Sequence, residues 1–492
     1  MHDDERLISA SPVESLVADA TGLAETLQPH QISADGGRAA DRRGQWSWAL
    51  FEAARDPNIH FQIYVISPFF ASVMMHNAIR GQELWGETAT WGGIITAVLA
   101  PFMGAIADRG GPRKPWIALF VFLMVLSFAG TWVGVPNSTN AQIFFVAAMI
   151  VLNNVVFEFS NVFHGAMLSG IAPRSRIGGL SGLAFALGGG AGVFLLAFFL
   201  VAFMLPGHVH APFIPEHPLF GVDQAAHEPE RLSGPITAVW MLLFAIPLFL
   251  FTPDRAYSGM RFAEAIRTGI AAVIRTVLSL KHYKNVAHYI GARTLFNDGM
   301  TGVLNFIGIY AAGTFHVGAL GMTAFGIEVL VFAALGGFFG GWIDDRFGSR
   351  NALFISIGGT TLFFALGLTM GPDRLFWFWH IDPRATVGIP LADTWPKIAY
   401  TIMADLTALC IVAGYANSRT MMARLAPPEK MTEFFGLMSL SGSAATFLAP
   451  IAVTWVTWWT QSQLGGMIAI VAFLAAGLVW MMFVKEERAT VA

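Results

Sequence analysis

The sequence predicts an all-α membrane protein of twelve transmembrane helices, arranged as two pseudo-symmetric six-helix bundles. Three observations predict it. Hydrophobic residues make up 55% of the 492-residue chain and charged residues 12%, where soluble domains carry roughly a quarter charged; mean hydropathy is +0.58. Twelve apolar stretches reach the length of about 20 residues that a helix needs to cross a bilayer. Finally, GAIADRGGPR, running from Gly104 to Arg113, recurs in pattern as GWIDDRFGSR from Gly341 to Arg350.

Residues 1–45 are polar and include Asp3, Asp4 and Glu5. They lack the basic-then-apolar order of a signal peptide, so the expectation is a disordered cytoplasmic tail. The first bundle, 46–252, holds spans near 46–78, 89–107, 116–135, 141–171, 178–205 and 234–252. The second, 286–484, holds spans near 286–315, 320–343, 351–371, 397–424, 432–460 and 465–484. Helices are expected throughout, because unpaired backbone groups are too costly in hydrocarbon and a barrel would show short alternating strands. Residues 485–492 form a second cytoplasmic tail.

Lysine and arginine set the orientation. Arg42, Arg43, Arg109, Arg113, Lys114, Arg174, Arg176, Arg346, Arg350, Arg424, Lys430, Lys485 and Arg488 fall on tails and alternate loops. Both termini are therefore expected in the cytoplasm, and the membrane is expected to be a bacterial inner membrane. The linker 253–285 sets Phe262, Ile266, Ile270, Val273, Ile274 and Val277 beside Arg261, Arg267, Arg275, Lys281 and Lys284. It reads as an amphipathic helix on the inner leaflet or as a plain connector. One outward loop, near 206–233, carries His208, His210, His217 and His227; a solvated loop is expected there rather than a metal site. The single cysteine, Cys410, excludes a disulfide framework within the chain.

In the repeated turn the shared residues are Gly104, Asp108, Arg109, Gly111 and Arg113, then Gly341, Asp345, Arg346, Gly348 and Arg350. Basic inward loops orient any membrane protein, but topology alone does not require a shared spacing of glycines. A second echo relates Met167–Gly182 to Met421–Gly436 through a common Ala-Pro turn and final glycine. The halves read as parallel repeats.

On these residues the chain resembles the major facilitator superfamily along all twelve spans, the repeated turn matching that superfamily's signature loop. More finely, it resembles the unidentified major facilitator group that includes the fungal vacuolar effluxers linked to autophagy. The stretches that carry this are SWALFEAARDP (47–57), VFHGAMLSGIAPRSRIGGLSG (162–182), ARTLFNDGMTGVLNFIGIYAAG (292–313) and NSRTMMARLAPPEKMTEFFGLMSLSG (417–442). One departure stands out: Phe51-Glu52-Ala53-Ala54 replaces that group's aromatic-Asp-Trp-Ala run, keeping the acid and losing the tryptophan. The resemblance implies a secondary transporter working by alternating access, with the repeated turns holding the cytoplasmic side closed. It implies an amino acid as the solute.

An ionisable group inside a span costs at least about 2.5 kcal/mol unless it is paired or faces water, which makes each a functional candidate. They are Glu52, Arg55 and Asp56 in span 1, Glu158 in span 4, Arg293 and Asp298 in span 7, Glu328 in span 8, and Asp405 and Arg419 in span 10. Apart from Glu328 all fall on spans 1, 4, 7 and 10, which the resemblance implies line a central cavity. Asn161, Asn297 and Asn417 share those spans. Arg55 and Asp56 precede Pro57, a helix breaker, and read as a local pair at a break or as a site beside one. Arg293 and Asp298 lack i,i+4 spacing, so their partners are expected on other spans. Mixed acids and cations fit a zwitterionic solute. Glu158 or Asp405 is the expected carrier of a coupling proton, a buried carboxylate being suited to that task. No cofactor, metal or nucleic-acid partner is expected, no phosphate-binding loop of an ATP-driven pump is present, and a monomer is expected to suffice. A drug or metabolite exporter of the same fold and a non-transporting sensor are the alternatives.

Overall fold

In the computed structural model the described residues are 32–33, 37–109, 111–173, 176–254, 278, 280–382, 387, 394–426, 434, 437–438, 441–442 and 446–485. Most of the tail 1–45, the linker from 255 to 277 and the tail from 486 lie outside them, so the readings of those segments are not described further. Twelve α-helices of 13 or more residues are present among the described residues. They are α1 Arg42–Phe61, α2 Ala78–Arg109, α3 Lys114–Gly130, α4 Asn140–Ile171, α5 Ile177–Phe199 and α6 Glu228–Phe251; then α7 Lys284–Phe315, α8 Ala319–Phe347, α9 Ser349–Leu368, α10 Trp395–Leu425, α11 Leu448–Thr460 and α12 Gln463–Met481. Among the described residues, eight helical segments are apolar and long enough by themselves to cross a membrane. The other four helices are α1, α2, α7 and α11; α1 and α7 each carry intramembrane charges, and α11 has 13 residues. A two-stranded hairpin, β1 Arg374–Leu375 and β2 Trp379–His380, lies between α9 and α10.

Helix pairing repeats between the halves. α1 packs on α6, α2 on α4, and α4 and α6 on α3; likewise α7 packs on α12, α8 on α10, and α10 and α12 on α9. Across the halves α2 meets α11 and α5 meets α8, two contacts that exchange when the halves are interchanged. Small residues let helices close: a Cβ at Gly336 of α8 would stand 3.0 Å from the backbone carbon of Leu409 on α10, and one at Gly477 of α12 2.7 Å from the backbone nitrogen of Phe296 on α7.

α1 does not break at Pro57. It continues through the proline and then, in π-helical turns, over Gln62–Ile66 and Phe69–Met74. Proline removes the donor that would have served the carbonyl four residues earlier. That carbonyl, Ala53 O, instead accepts from the Trp240 indole of α6 at 2.8 Å, so the backbone group stays paired. The π turns are where regular α-helix ends, and such turns cluster at functional segments.

The cores differ at the two ends of the bundle. At the end where α1 begins, which also holds the α2–α3 and α8–α9 turns, Trp48, Ile117, Phe159 and Met241 belong to a core built from α1–α6 and their flanks alone. At the far end Phe61, Tyr64, Phe70, Phe199 and Phe203 join a core shared with α7–α12. Neutral amides tie the far ends: Gln82 donates to Thr457 Oγ1 at 2.8 Å and to Gln463 O at 3.1 Å, and Gln463 donates to Ala78 O at 3.1 Å. The halves are thus joined at the far end.

Candidate functional site

A cavity of about 190 Å³ lies at mid-bundle, lined from both halves. α4 supplies Asn154, Phe157 and Glu158; α7 supplies Thr301, Leu304 and Asn305; α10 supplies Tyr415. On α4 the stripe that starts at half-buried Glu158 becomes exposed toward the turn end, at Asn161, Gly165 and Ser169. The Tyr415 hydroxyl lies 3.2 Å from Thr301 Oγ1 and within the electrostatic reach of Glu158 from one half and of Arg293 and Asp298 from the other.

Beside the cavity α1 and α4 hold a charge network. Buried Arg55 bonds Glu52, one turn back on α1, and lies 3.3 Å from Asp56 Oδ1. Its other amino group reaches Asn161 Oδ1 at 3.4 Å, and its guanidinium lies 4.9 Å from the centre of the Phe157 ring. Glu52 also meets His164 Nδ1 at 3.1 Å, while His164 Nε2 meets Trp48 O at 2.9 Å and the two rings stack at 4.4 Å. Two carboxylates therefore offset one guanidinium here, which leaves Glu158 as the acid facing the cavity. His164 was absent from the sequence candidates because they were drawn from charged and amide residues; its signal was a histidine in an apolar span, three residues after Asn161.

In the second half Arg293 and Asp298 do not pair with each other. Arg293 Nη1 donates to Met438 O at 2.8 Å, and its Nε has no hydrogen-bond partner among the described residues. Asp298 Oδ2 accepts from Ala449 N at 2.6 Å, at the start of α11, where a carboxylate meets the positive end of a helix. Asp298 Oδ1 has no partner among the described residues. Asn297 is buried beside the residues preceding α11, and Asn417 donates to Ser356 Oγ on α9 at 3.1 Å, so it joins helices rather than facing the cavity. Asp405 is buried, with Glu328 of α8 and Tyr64 of α1 as electrostatic neighbours. Arg419 is exposed toward the turn end.

The repeated turns share one backbone requirement. Gly111 has φ 91° and Gly348 φ 83°, the left-handed region where a side chain is strained. Each turn is tied to the last helix of its own half. Arg113 N and Lys114 N donate to the Asp254 carboxylate beyond α6 at 2.9 and 2.8 Å, and Arg113 Nε donates to Ala107 O at 2.9 Å. Arg350 donates to Val484 O at 2.7 Å and to Met482 O at 3.3 Å, beyond α12. Asp345 and Arg346 are exposed; the neighbouring Asp344 is buried instead, accepting from Ser349 Oγ at 2.5 Å with Arg424 at 3.5 Å. A Cβ at Gly104 or Gly341 would meet nothing within 4 Å. The side chains of Asp108 and Arg109 lie outside the described residues.

Of the loop histidines, His227 heads α6 with its Nδ1 2.6 Å from Glu230 Oε1. That hydrogen bond raises its pKa, against partial burial, which lowers it. A raised folded pKa stabilises below the unfolded value and is lost as pH rises through the folded one. Wild-type thermal stability should exceed that of His227→Gln most at about pH 6, the gap closing by about pH 8; a gap unchanged with pH would contradict this. No cluster of three metal-ligating side chains is found among the described residues.

Residues 172–492 match the family described as vacuole effluxer Atg22 like. Over 450 residues the chain is 22% identical to the uncharacterized MFS-type transporter YxiO of Bacillus subtilis (strain 168), spanning 90% of this chain and 95% of that protein. Solved transporter structures share the fold. The xylose transporter XylE from E. coli, in its inward open conformation, matches with a TM-score of 0.60 at 14% identity, over 91% of this chain and 96% of its own. A D-xylose-proton symporter matches at 0.62 and 13%, over 90% and 97%. The chain therefore belongs to the Atg22-like vacuole effluxer family, and its fold is that of the major facilitator transporters.

Proposed function

We propose that the protein moves a small zwitterion, an amino acid or a close analogue, through the mid-bundle cavity by alternating access, as a monomer with both termini cytoplasmic. The observation that carries this reading is a polar cavity lined from both halves, by Glu158 from one and by Thr301, Asn305 and Tyr415 from the other, with Arg293 and Asp298 as electrostatic neighbours of Tyr415. A zwitterion presents an ammonium to Glu158 and a carboxylate to Arg293, and so closes the two halves on itself. The unshared Nε of Arg293 and the hydrogen-bonding groups of Asn154, Thr301 and Asn305 support polar recognition. In this conformation the cavity faces the turn end, because the far ends share a core and the turn ends do not. The repeated turns, now tied within their own halves, become the latch when that end closes. Coupling to protons is part of the proposal, with Glu158 or Asp405 as the carboxylate that trades a proton against solute.

A thermal-shift screen of purified protein against amino acids, sugars, peptides and nucleosides tests the solute class, since a ligand stabilises the state it binds. Amino acids should raise Tm, by an amount that grows with concentration. Stabilisation by sugars or nucleosides alone would overturn the zwitterion reading.

A further inference from the structure

Glu52, Asp56, His60 and Tyr64 follow one another on α1 at four-residue spacing. In the α-helix this puts Glu52, Asp56 and His60 on one face, about 6 Å apart along the axis, and Tyr64 follows in the first π turn. α1 packs on α5, whose facing stretch reads Gly188-Gly189-Gly190-Ala191-Gly192. Two of those glycines make room for the acid and the imidazole. A Cβ at Gly188 would stand 2.9 Å from the carboxyl carbon of Asp56, and one at Gly192 would stand 2.6 Å from Cε1 of His60. His60 Nδ1 is buried and has no hydrogen-bond partner among the described residues.

The stripe connects two ionisable regions. Below it, Glu52 bonds Arg55 and His164. Above it, Tyr64 lines a second cavity of about 210 Å³ at the far end, together with Ser72, His227, Glu230 and His316. We propose that Asp56 and His60 form a proton-binding station, seated in the glycine groove of α5 and separate from the solute cavity, through which a proton passes between the Glu52 network and the far-end pocket. Each transfer breaks the O–H or N–H bond that holds the proton on its donor and makes one on the acceptor, with water bridging the roughly 6 Å step; no oxidant or reductant takes part. The proposal rests on the transporter reading and adds the route of the coupling ion.

The ionisable neighbours of the station are few. α1 itself supplies Glu52, Arg55 and Tyr64; α4 supplies His164 through Glu52 and Glu158 through Arg55. α10 supplies Asp405, which faces Tyr64. α5 has no ionisable residue from Ile177 to Met204, and α6 has none from Ile236 to Phe251. The station is thus walled by glycine and apolar side chains on the α5 side, which keeps protons on the stripe.

Two measurements test it. Histidine-selective NMR on protein in nanodiscs, with His60 assigned by loss of its signal in His60→Gln, follows protonation directly. His60 should titrate between about pH 4 and 8, and Asp56→Asn should move its midpoint by about one unit or more. An imidazole that stays neutral over that range, or a midpoint indifferent to Asp56→Asn, overturns the proposal. In proteoliposomes with a 14C-labelled mixture of the proteinogenic amino acids, His60→Gln should keep counterflow within about twofold and lose pH-gradient-driven accumulation by about tenfold or more. Normal accumulation in His60→Gln overturns it as well. Wild-type protein that moves none of the mixture defeats the amino-acid reading alone, and the NMR result then decides the proton station by itself.

Discussion

Glu158→Gln is expected to weaken solute binding by at least about tenfold and to cut flux in proportion, while the protein reaches the membrane at normal abundance. Glu158 is the carboxylate in the wall of the mid-bundle cavity, whereas Glu52 and Asp56 are already engaged by Arg55. A hydrogen bond to a charged group contributes about 1.5–3 kcal/mol, and 1.4 kcal/mol is a factor of ten in affinity. Glutamine keeps the shape and one acceptor but loses the charge that an ammonium meets. Isothermal titration with the amino acid that gives the largest thermal shift measures the change. An unaltered Kd would remove Glu158 from the solute site.

Gly326→Leu is expected to prise the far ends apart and trap the opposite conformation. Gly326 of α8 lies against Tyr64 of α1, where a Cβ would stand 2.5 Å from Tyr64 Cγ and 2.8 Å from its Cβ. The same seam brings Gly308 of α7 to Ile63 of α1, with a Cβ 2.8 Å from its carbonyl oxygen. Overpacking of this kind costs about 1–3 kcal/mol. Here the strain falls only on the far-closed state, so that state should lose about tenfold or more in population. With Cys410→Ser removing the single native thiol, a cysteine placed at Ser72 in the far pocket reports the change. It should react faster with a membrane-impermeant maleimide in Gly326→Leu, and flux should fall. Unchanged labelling with normal flux would mean that the seam does not gate.

The fold was legible because a bilayer imposes a length and an apolar composition on every span, and because the repeated turn survives as spacing. Its glycines at 111 and 348 are readable as a backbone demand, and the structure shows that demand in two positive φ angles. Pro57 misled as a break because the sequence cannot show that Trp240, almost two hundred residues on, accepts the role of the lost donor. The π turns of α1 leave no compositional mark. Charge in a span pointed to Glu52, Arg55 and Glu158, yet a scan for charge passes over His60 and His164, whose importance comes from what packs on them. The same limit hid Asp344, adjacent to Asp345 in sequence and distinguished from it only by which side of α8 faces Ser349 and Arg424.

Alternating access through this cavity is tested most directly by the distance between the turn ends of the two halves. Spin labels at Arg176 on the first half and Ala423 on the second, both exposed, would be placed on the Cys410→Ser background and read by double electron–electron resonance. A long distance is expected without solute; it should shorten, or split toward a shorter population, when the stabilising amino acid is added, with the shift lost in Glu158→Gln. A distance that stays fixed with a solute shown to bind would contradict alternating access.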